Sequence, residues 1–344
     1  MTRVYSATAP ALSELRRKTD LRGIGEVRLV ALEDGPARGQ RLLFCRNAAG
    51  LECEIAVDRG FDISALRWRG INLGWNGPVG SAPAREFDSE EGLGRLRSFD
   101  GFLVTCGLDH YGIPAVGSAQ NFIYPERTRA HWPLHGRISG IGATLRGYGI
   151  DTERAIPCLW CEAEVRQAAL FGEVLTLRRR IEIPLFEPRL DLNDRVTNVG
   201  FRPTRHGILY HCNVGYPLLD EESELIGDFE SQLRADFVSS PPVAADDVSE
   251  RVDSHPVEGD ANGLARAGVR NPRLEGGLAL EIAYSAATLP ALGLWRAWQS
   301  GIYALGIEPH SSLPAHDQEP HGAHFLQAGE TRDYRLLLSV ARSV

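Results

Sequence analysis

The 344-residue chain has no run of apolar residues near the roughly 20 needed to cross a bilayer. Met1 to Lys18 holds no apolar signal core either, so no membrane is expected as a partner and the expected location is cytoplasmic. Basic residues are outnumbered, 37 Lys and Arg against 45 Asp and Glu for a formal charge of −8, and no basic block stands out beyond Arg178, Arg179 and Arg180 in one strand-like run. A phosphate backbone wants a basic face, which argues against nucleic acid. Cysteine is sparse: six in the whole chain do not make a disulfide scaffold. Cys158 and Cys161 form a lone C-x-x-C, with Leu159 and Trp160 between them in a strand-like run and no second pair to complete a zinc site, so structural thiols are expected. Internal repeats, low-complexity segments and an H-x-x-x-H helix are absent as well.

What is present is ordinary globular material, 43% hydrophobic and 24% charged, able to bury a sizeable core. Branched and aromatic residues gather in short runs: Val27–Leu32, Arg41–Arg46, Leu51–Val57, Ile63–Trp68, Leu159–Gln167, Val174–Ile183, Arg189–Asn198, Gly207–Cys212, Leu278–Tyr284, Ala291–Trp298, Ile302–Ile307 and Arg332–Val340. Turn residues such as Glu33-Asp34-Gly35-Pro36 and Asn47-Ala48-Ala49-Gly50 separate them. The strands follow one another without intervening helices, which predicts an all-β protein of antiparallel sheets with a few short helices, at Ala11–Lys18 and Ser89–Arg97. One domain is expected over 1–344, with 1–24 as an N-terminal extension and the polar stretch 236–271 as a long loop excursion.

Polar groups concentrate beside Gly and aromatic residues at Val57–Pro78, Gly101–Pro114, Trp132–Ala143, Ile208–Leu219 and Gly301–Asp317. Glu308 ends the apolar run from Tyr303 and precedes Pro309, which is expected to stop strand pairing; a poorly hydrated carboxyl there suits a general base, against the alternative of an exposed strand-end Glu. His211 follows Ile208-Leu209-Tyr210 in an apolar strand, where a satisfied core histidine competes with a catalyst. His135 lies in Leu134-His135-Gly136-Arg137, where Gly lets backbone approach a ligand and Arg137 can grip hydroxyls. Asp109 and His110 sit between Gly107 and Gly112, and for both segments plain turn punctuation is the other reading.

The order H-G-R, then Y-H-C-N-V-G-Y-P-L-L, then L-G-I-E-P resembles the aldose 1-epimerase (galactose mutarotase-like) superfamily over roughly residues 25 to 340. It is most similar to a bacterial aldose 1-epimerase-like branch with D-R-G-x-D-I, T-C-G-L-D-x-x-G and L-H-G-R-I-S segments. The resemblance implies a galactose mutarotase-like β-super-sandwich with a carbohydrate cleft and no organic cofactor or metal. It implies catalysis by Glu308 and His211: Glu308 takes the anomeric hydroxyl proton while His211 protonates the ring oxygen, and the opened sugar turns and recloses. His135 orients the sugar, and Arg137, Arg59, Asp109 and His110 are candidates for its hydroxyls, with Trp295 or Trp75 as a stacking face. The chain departs from the family pattern at Tyr210, Val214 and Pro309-His310.

Competing readings are a non-catalytic sugar-binding module, a sugar isomerase or lyase in the same cleft, and a metal enzyme. The last would use His135, His211 and Glu308, or the cluster His310, His316, Asp317, Glu319, His321 and His324. The partner expected in every carbohydrate reading is a small sugar; a homodimer is left open.

Overall fold

An antiparallel strand with one solvated face alternates buried and exposed residues, and Cys158–Ala168, Val174–Pro184 and Arg189–Asn198 do so along most of their length. In the computed structural model, which describes residues 12–80, 89–119, 128–227, 241–312 and 324–342, these strands are neighbours in an eight-stranded sheet. Its order is Glu224–Gly227, Leu264–Asn271, Leu278–Ser285, Thr331–Arg342, Arg189–Asn198, Val174–Pro184, Cys158–Ala168, Thr144–Asp151.

Leu209–Val214 and Ala304–His310 instead bury every residue, because they are inner strands with both faces covered. They belong to a five-stranded central sheet ordered Arg251–Pro256, Ala291–Ala297, Ala304–His310, Leu209–Val214, Leu103–Cys106. A second five-stranded sheet is a meander in chain order from Glu26–Ala31 to Ile71–Asn72. Leu103, Tyr210, Cys212, Leu292, Leu294, Leu305 and Ile307 turn one face of the central sheet into a single cluster of buried residues that runs from Ile24 to Val340. Its other face carries Val104, Cys106, Leu209, Ala297 and Ala304 beneath Trp75, Phe99 and Tyr111. With a side-chain period of two, His211, Asn213, Gly293, Trp295, Gly306, Glu308 and His310 share that second face.

A fully buried ionic network ties the layers together. Arg179, from the large sheet, donates to both carboxylate oxygens of Asp194 at 2.8 and 2.7 Å, to Asp62 of the N-terminal sheet at 3.1 Å, and to the Thr105 hydroxyl of the central sheet at 2.9 Å. Tyr210 donates to Asp194 at 2.8 Å, which fixes the strand that carries His211.

Three expectations change. Pro309 does not end its strand: pairing with Ala291–Ala297 continues to His310, while on the Leu209–Val214 side the register passes from Leu209↔His310 to Cys212↔Ile307, accommodating the residue with no N–H. The expected helix Ser89–Arg97 is two 3₁₀ turns, because Glu90, Glu91 and Gly92 take positive φ in succession and no continuous helix passes through them. The stretch 236–271 is no simple excursion: residues 228–240 lie outside the described residues, but Arg251–Pro256 forms an edge of the central sheet and Leu264–Asn271 a strand of the large one. The cysteines are structural thiols as expected: Cys158 and Cys161, three apart on one strand, point to opposite faces, and all six cysteines are buried and free. The helix expected at Ala11–Lys18 is present as Leu12–Arg16, and no helix among the described residues is long and apolar enough to cross a membrane.

Candidate active site

The register that pairs Leu209 with His310 and Cys212 with Ile307 sets His211 beside Glu308 on the second face of the central sheet. The imidazole Nε2 lies 3.0 Å from Glu308 Oε1, and each side chain is 4% exposed. Two glycines make this approach possible. A Cβ on Gly306 would stand 2.8 Å from Glu308 Oε1, 2.9 Å from His211 Cε1 and 3.0 Å from Trp295 Cβ, and one on Gly293 would stand 3.0 Å from Glu308 Oε2. The carboxyl therefore lies in a notch from which two side chains are missing.

Asn213, two residues beyond His211 on the same face, sets the ring. Its amide nitrogen donates to the Gly101 carbonyl at 2.9 Å, which turns Oδ1 toward His211 Nδ1 at 2.5 Å. An amide oxygen only accepts, so Nδ1 carries the hydrogen and the neutral ring presents the Nε2 lone pair to Glu308. The 3.0 Å contact lacks the alignment of a hydrogen bond, and Oε1 is a buried atom with no hydrogen-bond partner among the described residues. Burial pushes the Glu308 carboxyl up to about 8, helped by the negative charge of Glu250, and pushes the His211 imidazole down to about 3 against the support of Asn213. Both shifts favour an uncharged pair near neutrality, with the proton on Glu308.

Aromatic rings wall the pair. Phe99 and Trp295 stand 4.8 and 5.3 Å from the His211 ring, Trp75 stands 5.9 Å from Trp295, and Trp295 Nε1 donates to Glu250 at 2.7 Å. His135 meets His211 edge-on at 5.4 Å. It sits at φ 58° in a turn clamped onto the Gly107–Gly112 loop: His135 N donates to the Gly112 carbonyl and Gly107 N to that of His135. A side chain at Gly136 would strike the carbonyls of Gly107 and His110.

The structure thus brings together Glu308, His211, His135 and Trp295, and Trp75 with them. The other expected residues bond to protein groups around the pair. Asp109 accepts from Gln167 at 2.6 Å, Trp132 at 2.8 Å and Arg137 at 3.4 Å; Arg137 also donates to the His131 carbonyl at 2.6 Å. His110 Nε2 bonds the Ile113 carbonyl at 2.8 Å, and buried Arg59 donates to the Asp100 carbonyl, next to the Gly101 that orients Asn213. Asn213, Gly306, Gly293 and Phe99 have no titratable group to mark them in the sequence; the period of two from His211 and Glu308 points to Asn213 and Gly306.

Among the described residues no group of three or more His, Cys, Asp or Glu forms a metal site; His316, Asp317, Glu319 and His321 lie outside the described residues. A concavity of about 640 Å³ on the solvent face of the large sheet, lined by Arg178, Arg180, Arg195, Glu162 and Asp333, is separate from the pair. Its arginines pair across strands with Glu162 and Asp333, as on a solvated sheet face.

A family model described as Domain of unknown function (DUF4432) matches residues 37–340. The chain belongs to the DUF4432 family. This DUF4432 chain is similar in structure to a Klebsiella pneumoniae protein provisionally assigned as an aldose 1-epimerase, with TM-score 0.81 and 21% identity over 93% of this chain and 84% of that one. It is also similar to a galactose mutarotase-like protein of Clostridium acetobutylicum, TM-score 0.63 and 12% identity over 93% of this chain and 100% of that one. A galactose 1-epimerase of Lactobacillus acidophilus gives TM-score 0.58 and 13% identity over 93% and 99%. No curated protein matches the sequence. At these identities the likeness shows the fold: an all-β, galactose mutarotase-like sandwich.

Proposed function

We propose that this protein is a carbohydrate isomerase that interconverts the anomers of a free sugar, with Glu308 and His211 as its proton-transfer pair. The observation that carries the reading is the buried Glu308 Oε1, without a hydrogen bond among the described residues and 3.0 Å from an imidazole nitrogen whose tautomer Asn213 dictates. A buried orphan oxygen costs about 1–3 kcal/mol, and a ligand hydroxyl that reaches it would satisfy it. The aromatic walls suit the apolar face of a sugar ring.

The proton's position favours roles opposite to those expected from the sequence. Neutral His211 Nε2 takes the proton of the anomeric hydroxyl, and Glu308 delivers its own to the ring oxygen. The bond between the anomeric carbon and the ring oxygen breaks as the carbonyl forms; the carbon rotates, and closure returns both protons. His135 holds the sugar against the pair.

Because the reacting form holds one proton, kcat/KM is expected to be level through neutrality and to fall about tenfold per pH unit above about 8, the range of Glu308. Gly306→Ala is expected to lower turnover by about 10²-fold or more, since its Cβ displaces carboxyl, imidazole and indole together. Steady-state rates across pH and for this variant check both.

Two-dimensional exchange NMR on a panel of free sugars tests the function. Cross-peaks between α and β anomers, growing with protein concentration, support it. Binding without exchange would make the chain a sugar-binding module, and a new sugar product would make it another isomerase.

A further inference from the structure

A second set of polar side chains stands on the same face as the catalytic pair. Ser254 is paired in register with Gly293, and Gly293 with Glu308, so the three form one row across the central sheet. Gly293 has no side chain, and the Glu308 carboxyl overhangs it; no intervening side chain in that row separates Ser254 from the carboxyl. The two backbones are two strand spacings apart, about 10 Å. His310 follows Glu308 by two residues on the same strand and face. Its Nε2 lies 2.7 Å from Ser254 Oγ and its Nδ1 3.2 Å from the Tyr111 hydroxyl. His310 and Tyr111 are buried, at 5% and 4% exposure, whereas Ser254 is only half-buried.

We propose that Ser254, backed by His310 and Tyr111, is a recognition subsite for a free hydroxyl of the sugar, next to the reacting carbon. The inference rests on the carbohydrate reading of the site and names what that site selects. Its chemistry is that of a chain with two hydrogen-bonding states. When Tyr111 donates to Nδ1, Nε2–H donates to Ser254 and leaves the serine proton for the ligand. When Nδ1–H donates to Tyr111, Ser254 donates to Nε2 and accepts from the ligand. The serine oxygen can meet a hydroxyl in either sense, and a deoxy carbon in neither. The three recognising side chains include no Lys, Arg, Asp or Glu, so the ligand group is an uncharged hydroxyl rather than a carboxylate or phosphate.

The test uses the full-length protein and saturation-transfer NMR with a monosaccharide and its monodeoxy analogues. The wild type is expected to bind one particular deoxy analogue about tenfold or more weaker than the parent. Ser254→Ala loses that discrimination, Ser254→Thr restores it, and Tyr111→Phe weakens it. Discrimination that persists unchanged in Ser254→Ala, with the near-ultraviolet circular dichroism of the wild type, overturns the subsite while leaving the carbohydrate reading intact. Failure of the wild type to bind any monosaccharide overturns the carbohydrate reading and the subsite with it.

Discussion

Glu308→Gln is expected to slow anomer exchange by about 10²–10⁴-fold, because the amide fills the glycine notch but has no acidic proton to deliver. Sugar affinity should survive, since the amide still offers hydrogen-bonding atoms. Stability should move with pH in a way a passive residue would not produce. Between the ordinary carboxyl value of 4.5 and the folded value of about 8, the unfolded chain releases a proton that the folded chain keeps, so Glu308 lowers stability as pH rises, by about 1.4 kcal/mol per unit. His211 acts in the opposite sense between its folded value of about 3 and the ordinary 6.5, where the unfolded chain holds a proton that the folded chain lacks. The two slopes cancel between 4.5 and 6.5, and the pair's contribution declines from 6.5 to about 8. Glu308→Gln removes that decline. Urea unfolding at pH 6 and pH 9 should show the variant gaining on the wild type at the higher pH; an equal gap at both would place no proton on Glu308.

Arg179→Met should cost about 3–5 kcal/mol, the range for stripping one partner from a buried ionic network. Asp62 and Asp194 face Arg179 at 0% side-chain exposure, so its loss strands two carboxylates where water does not reach. Thr105 loses the Arg179 donor, and the Asp194 that accepts from Tyr210 is no longer held by the guanidinium, which loosens the strand of His211. Adding Asp62→Asn and Asp194→Asn to Arg179→Met should recover part of the loss, because neutral amides tolerate burial better than charges. Urea unfolding midpoints measure both effects, and a loss under about 1 kcal/mol for Arg179→Met would contradict the role of the network.

The strands of the large sheet were legible because one solvated face imprints a period of two, as in Val174–Pro184. Thr144–Asp151 was not, because Gly147 lies under the Trp160 ring, where a Cβ would come within 2.9 Å, and its glycines erase the pattern. Leu264–Asn271 was hidden by its small residues, with Gly268 against the Leu280 carbonyl, and Arg251–Pro256 by the polarity and proline of an edge strand. Within the site, the convergence of His135, His211 and Glu308 was anticipated through the family resemblance that their segments carry, not from any one residue. The bonds of Asp109, His110 and Arg59 to neighbouring protein groups were not legible, because a glycine-flanked turn looks the same whether it receives a ligand or a neighbouring loop, and here Gly136 receives the Gly107 and His110 carbonyls. Gly306 and Gly293 act by lacking side chains, and a residue that does so leaves no chemical signature in a sequence.

The placement of one proton on Glu308, opposite a neutral His211, is the physical claim beneath the mechanism, and infrared difference spectroscopy of wild type against Glu308→Gln reads it directly. A protonated-carboxyl carbonyl band that belongs to Glu308 is expected at pH 6, giving way to carboxylate bands as pH passes about 8. A difference spectrum showing only ionised carboxylate at pH 6 would contradict it.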